Sequence, residues 1–220
     1  MSFSVRRFAT IRGMKRHSLS LLVFIAYAVA ACIVTYPAMT ALSTHLIGHP
    51  FGDSTEYAAH IAWIAQALHQ GINPFFQANL LYPQGLTAAW LWAVPLQSFP
   101  AALIVYAAPG AIALAFNFSI LLALTLNGWS MFALMRAILT DGRFRVLAAF
   151  LAGLIYLTYP TFGGHLAAGH LGLISLWGVP LFALFLIRSQ RTQRKNVILA
   201  GVFFAVSALG STPLIFYLTL

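Results

Sequence analysis

The sequence is short of charge. Its 220 residues include three acidic side chains, Asp53, Glu56 and Asp141, and charged residues of either sign make up 7% against 61% hydrophobic. A soluble domain carries about 25% charged residues, so this composition excludes a solvated globular fold and points to an all-α integral membrane protein. Cys32 is the only cysteine, which excludes an intrachain disulfide. Lys and Arg are missing from the 119 residues between His17 and Met135. Loops on the cytoplasmic side of a polytopic protein keep Lys and Arg, so a polar loop inside such a stretch belongs on the far side of the bilayer. Asp53 and Glu56 lie there and are expected to face outward.

The charge that is present is grouped. The twelve basic residues fall into three clusters beside apolar segments, Arg6 to Arg16, Arg136 to Arg145 and Arg188 to Lys195. Despite a net charge of +9, this is the pattern of cytoplasmic loops against anionic membrane lipids and not of a nucleic-acid surface. The 24-residue run Leu19 to Leu42 is too long for the apolar region of a signal peptide and reads as an uncleaved first span.

If all three clusters are cytoplasmic, an even number of spans separates each pair. The first interval holds three apolar segments, so one of them does not cross. Leu86 to Ala108, with Pro95, Gln97 and Pro100, is the weakest and reads as an interfacial or re-entrant element. The alternative is a sixth span. The predicted organisation is one polytopic domain of about five transmembrane helices. Residues 1–18 form a cytoplasmic basic tail and 19–42 the first span. Residues 43–110 form an outer loop with juxtamembrane helices, and 111–135, 146–162, 171–187 and 197–220 are further spans. Because Leu220 ends an apolar run with no polar tail, the chain is expected to be part of a longer protein.

The outer segment GHPFGDSTEYAAHIAWIAQALHQGINPFF holds the densest chemistry. Asp53 or Ser54 can cap a helix, Glu56 follows Asp53 by three as in a capping box, and Gly71 before Pro74 marks the helix end. Tyr57, Ile61, Ile64 and Leu68 share one face and Glu56, His60, Trp63 and Gln70 another, which predicts an amphipathic helix along the membrane surface. Capping alone accounts for the two carboxylates. Placing two of three acids together beside a span also marks a functional site, because ionisable groups are costly there. His45, His49, His60 and His69 share the region, and the turn PTFGGHLAAGHL places His165 and His170 on the same side. A carboxylate with such imidazoles can hold a divalent cation (Mg or Mn, on Asp53 and Glu56) or a general base. Trp63, Trp90, Trp92, Tyr82 and Tyr106 read as interfacial aromatics or stacking platforms for substrate. Asn117 and Asn127 read as glue between helices.

The run GDSTEYAAHIAWIAQALHQGINPFFQANLLYPQG, a first span before it, a non-spanning element after it and the later PTFGGHLAAGHLGLISLWGVPLFALFLIR together resemble the GT-C superfamily of polytopic glycosyltransferases. The resemblance implies transfer of a sugar from a polyprenyl-phosphate donor to an acceptor on the outer side of the bacterial inner membrane. By it, Asp53 is the catalytic base or metal ligand, Glu56 its second, and His60, Tyr82, His165 and His170 are substrate-binding. The loop carries no Lys or Arg, so the phosphate charge falls to a metal, to histidines or to residues beyond Leu220. The alternatives are a transporter or lipid flippase, with Asp53 or Glu56 coupling protons, and a non-catalytic membrane subunit.

Overall fold

A computed structural model of the chain describes residues 3–78, 80–87, 94–140, 142–190 and 194–211, with the backbone alone for 3–17 and 162. Trp90, Trp92, Asp141 and 212–220 of the last predicted span lie outside the described residues. The helices are α1 (Phe3–Val34), α2 (Ser54–Gln70), α3 (Pro95–Ala107), α4 (Ile112–Ile138), α5 (Arg145–Phe162), α6 (His165–Ala168), α7 (Leu171–Ile174), α8 (Gly178–Ser189) and α9 (Arg194–Gly210), with a 3-10 turn at Ala38–Ala41. Among the described residues the one β-type pairing is an isolated bridge between Gln77 and Leu86.

Among the described residues two stretches are long and apolar enough to cross a membrane, α4 and Leu171–Ser189, which joins α7 to α8. Ser18–Val34, Pro95–Ala107 and Arg145–Thr161 are apolar but shorter. The 13 residues of α3 extend about 20 Å at 1.5 Å per residue, less than the ~30 Å hydrocarbon core.

The helices pack through small residues. Tyr27 of α1 is fully buried and lies between Gly128 of α4 and Gly153 of α5. A methyl group on Gly128 would stand 2.7 Å from the ring, and one on Gly153 would overlap the phenol oxygen. The hydroxyl donates to the Phe150 carbonyl at 3.0 Å. Ala123, Leu124, Ile120, Phe116 and Leu157 complete this core.

The contacts fix helix direction. Trp129 Nε1 donates to Ser20 Oγ at 3.0 Å, whereas Asn117, nearer the start of α4, binds Leu42 and His45. The first helix therefore runs antiparallel to α4 and carries residues 6–16 toward the end where α4 finishes at Arg136. Arg145 at the start of α5 donates to the Arg136 carbonyl, and α8, whose Leu181 and Leu184 pack on Leu134, ends there as well, so the described ends of the basic segments share one pole. Asp53, Glu56, His165 and His170 occupy the other.

Asn117 and Asn127 are both fully buried, and they do something other than join helix to helix. Asn117 Oδ1 accepts from the Ile47 N–H at 2.8 Å, and its Nδ2 donates to the carbonyls of Leu42 and His45 at 2.8 and 2.7 Å. Asn127 Nδ2 donates to the Ile174 carbonyl at 2.7 Å while its Oδ1 accepts from the Leu176 N–H at 2.9 Å. Each amide satisfies irregular backbone buried among apolar helices, the condition under which such backbone is tolerated there. The predicted span 171–187 is thus broken between Ile174 and Gly178, with Asn127 filling the break.

Replacing Asn127 with Leu orphans a buried N–H and a buried C=O. The expected loss is about 3 kcal/mol, from about 1–3 kcal/mol per unsatisfied group, read as a lower unfolding midpoint in detergent. An unchanged or raised midpoint would assign the break to some other support.

Candidate functional site

Asp53 precedes α2, and the helix geometry corrects the capping-box expectation. Its carboxylate makes no capping hydrogen bond. Its backbone N–H, the group a capping-box Glu56 would reach back to, donates instead to the Ala168 carbonyl at 2.7 Å. The carboxylate is thereby free to turn outward, and Oδ2 lies 3.2 Å from His170 Nε2. His170 Nδ1 lies 3.2 Å from His165 Nδ1. Three residues that the sequence placed on one side of the membrane form a continuous chain of polar atoms.

Two glycines permit that meeting across more than a hundred residues. At Gly52 a Cβ would overlap the Ala168 carbonyl. Gly169 has φ +72°, and a Cβ there would stand 2.7 Å from both the backbone nitrogen and Cβ of Ser54. The 48–54 loop and the 163–170 turn therefore touch backbone to backbone, joined by N–H donation from His49 and Asp53 to Ala167 and Ala168.

The donor and acceptor inventory orders the protons. An ionised carboxylate only accepts, so His170 donates through Nε2–H. A neutral His170 then accepts at Nδ1, which requires His165 to donate through Nδ1–H. His165 Nε2 is left with a lone pair. The Asp53 and His170 side chains are half and one-third exposed, so the pair is screened and contributes at most about 1 kcal/mol to stability.

Glu56 belongs to a different group. Its Oε1 lies 3.5 Å from His60 Nε2, and His60 Nδ1 lies 2.8 Å from Gln77 Nε2. The sequence put His60 on the polar face of α2. It is instead buried, with both ring nitrogens engaged, and ties the 77–86 loop to the helix. Trp63 Nε1 likewise donates to the Pro74 carbonyl at 2.9 Å. Tyr82 stands on the 77–86 loop and is 86% exposed. His69 stacks on Tyr106 with centroids 4.0 Å apart.

The carboxylates of Asp53 and Glu56 engage different histidines. Among the described residues no three His, Cys, Asp or Glu side chains gather closely enough to hold a metal ion. This donor arrangement does not fit Mg or Mn, which take several convergent oxygen ligands.

Tyr57, which the sequence assigned to the apolar face, adjoins the site. Burial first, then the negative charges of Asp53 and Glu56, push its phenol above the ordinary range, opposed by a hydrogen bond with the Gly172 backbone. The phenol stays protonated at neutral pH, so it is a hydrogen-bonding group and not a base. Comparison with protein-family models, curated proteins and solved structures finds no match to this chain.

Gly169→Ala should detach the turn from the loop, since the left-handed backbone alone costs about 1–2 kcal/mol for a residue with Cβ. Hydrogen exchange at the His49 and Asp53 amides should accelerate selectively. Unchanged protection at both amides would show that the contact does not depend on the glycine.

Proposed function

We propose that the chain is a multi-pass inner-membrane glycosyltransferase of GT-C type that moves a sugar from a polyprenyl-phosphate carrier to an acceptor hydroxyl at the outer face. The observation that carries this reading is the Asp53–His170–His165 chain, in which neutral imidazoles donating toward Asp53 leave a lone pair at His165 Nε2. The acceptor hydroxyl gives its proton to His165 Nε2 as its oxygen attacks the anomeric carbon. The bond from that carbon to the phosphate oxygen breaks, and the electron pair leaves with the lipid phosphate. The proton remains on the imidazole pair, where Asp53 stabilises the new positive charge and the charge faces the departing anion. The histidines thus supply the cation that the Lys- and Arg-free loop lacks. General-base catalysis of this kind contributes about 10²–10⁴-fold.

The transporter reading gains from the break at 175–177, because transporters bind substrate at discontinuous helices. Asn127 already holds the Ile174 carbonyl before that break and the Leu176 N–H within it, and neither Asp53 nor Glu56 lies on it, which favours the enzyme.

In membranes supplied with polyprenyl-linked sugars, Asp53→Asn should lower transfer by about 10²–10⁴-fold with little change in unfolding temperature. Glu56→Gln, acting on the separate His60 group, should leave transfer within a few-fold of wild type. Asp53→Asn activity close to wild type would sink the assignment.

Membrane orientation has its own check. In a Cys32→Ser background, a cysteine at Thr55 should react with an impermeant thiol reagent in intact cells and one at Gly142 only after permeabilisation. Labelling of position 142 from outside would reverse the charge argument.

A further inference from the structure

A buried amide on α3 has nothing to bind. Gln97 is 7% exposed, and neither its Nε2 nor its Oε1 has a hydrogen-bond partner among the described residues. The hydroxyls of Ser175 and Ser211, on residues 3% and 1% exposed, are in the same condition. These residues come from three elements: α3, the break between α7 and α8, and the end of α9. They converge on Gly210, where a methyl would stand 3.2 Å from Gln97 Nε2 and 3.6 Å from the Ser175 carbonyl oxygen. A methyl on Gly172 would stand 2.8 Å from Val94 Cγ1, 3.4 Å from the Gly210 oxygen and 3.8 Å from Ser211 Cα.

Buried polar groups in folded proteins are paired, with water or ligand where protein does not suffice. The unpaired atoms specify the partner. Gln97 Nε2 only donates, Oε1 only accepts, and the two serine hydroxyls do either. A cation would face the amide N–H groups and an anion the amide oxygen, so one atom would always be opposed. No ionisable residue occurs in 94–98, 172–177 or 207–211, which leaves a charged ligand uncompensated. A hydroxyl group both donates and accepts and carries no charge.

We propose that Gln97, Ser175 and Ser211 form a binding site for a neutral hydroxyl group, supplied either by water or by a polyol ligand. The elements that bear Gln97 and lead into Ser211 also border an open cavity. This cavity of about 700 Å³ is lined by Asn73, Phe75, Phe76, Thr87, Pro95 and Leu209, and Pro95 and Leu209 each stand two positions before a member of the site. The inference goes beyond the Asp53 chemistry and does not rest on it.

The test is thermal unfolding of the purified full chain, Gln97→Leu, and the Ser175→Ala/Ser211→Ala pair, each titrated with methyl glucoside, with glycerol, and with sodium chloride as a control. A saturating rise in the unfolding midpoint with methyl glucoside or glycerol, about tenfold weaker in either variant, identifies a polyol site. No variant-sensitive response, together with lower midpoints for both variants, identifies water as the hydroxyl. The proposal is overturned if no titration response depends on these residues and either variant unfolds at or above the wild-type temperature, as expected when unpaired polar atoms are simply removed. Should Gln97→Leu fail to fold, the serine pair decides alone by the same two readings.

Discussion

Irregular backbone buried among apolar helices has to be hydrogen-bonded from somewhere, and in this protein one helix provides for it twice. Asn117 and Asn127 stand ten residues apart on α4, about 15 Å along its axis. The first holds the segment that leaves α1, through Leu42, His45 and Ile47. The second holds the break in the 171–189 stretch, through Ile174 and Leu176. An orphaned pair would cost more than the apolar packing of a single side chain returns. The positions of both loops that build the polar pole therefore follow from two side-chain amides.

The site inherits its geometry from that support. The loop ending at Asp53 leaves the Asn117 anchor, and the turn bearing His165 and His170 enters the Asn127 anchor. Between the anchors the two segments lie against each other with glycine at the points of closest approach. The Asp53 backbone is consumed in this contact, which leaves its carboxylate available to His170. A residue that would otherwise serve only to start a helix becomes the acceptor end of a two-histidine chain. Glu56, one helical turn on, is drawn to His60 and has a different task, so two carboxylates three residues apart do not act as a pair.

Much of this arrangement was legible in the sequence. The apolar runs mark the helices, and the distribution of Lys and Arg places His165 and His170 at the pole of Asp53 without any knowledge of contacts. Pro95, Gln97 and Pro100 mark the element that forms only a short helix. Other features were hidden for physical reasons. The capping-box spacing at Asp53 and Glu56 is a local signal, and it lost to a long-range bond from the Asp53 N–H to the Ala168 carbonyl that no local pattern announces. His60 follows the polar face of α2 by periodicity, yet Gln77 supplies a buried partner from the next loop. The break after Ile174 lies in an apolar run, where Gly172, Ser175, Gly178 and Pro180 are the residues that differ from an ordinary span. Asn127 was visible as a buried polar residue, but its partners lie 47 and 49 positions away.

The central claim is that Asp53 fixes the protons along the two histidines so that His165 Nε2 is the base. Nitrogen NMR of ¹⁵N-histidine-labelled protein, with His165 and His170 assigned by substitution, reads this directly. The account predicts His170 protonated at Nε2 and His165 protonated at Nδ1, with both signals altered in Asp53→Asn. A His165 carrying its proton on Nε2, or signals indifferent to Asp53→Asn, would contradict it.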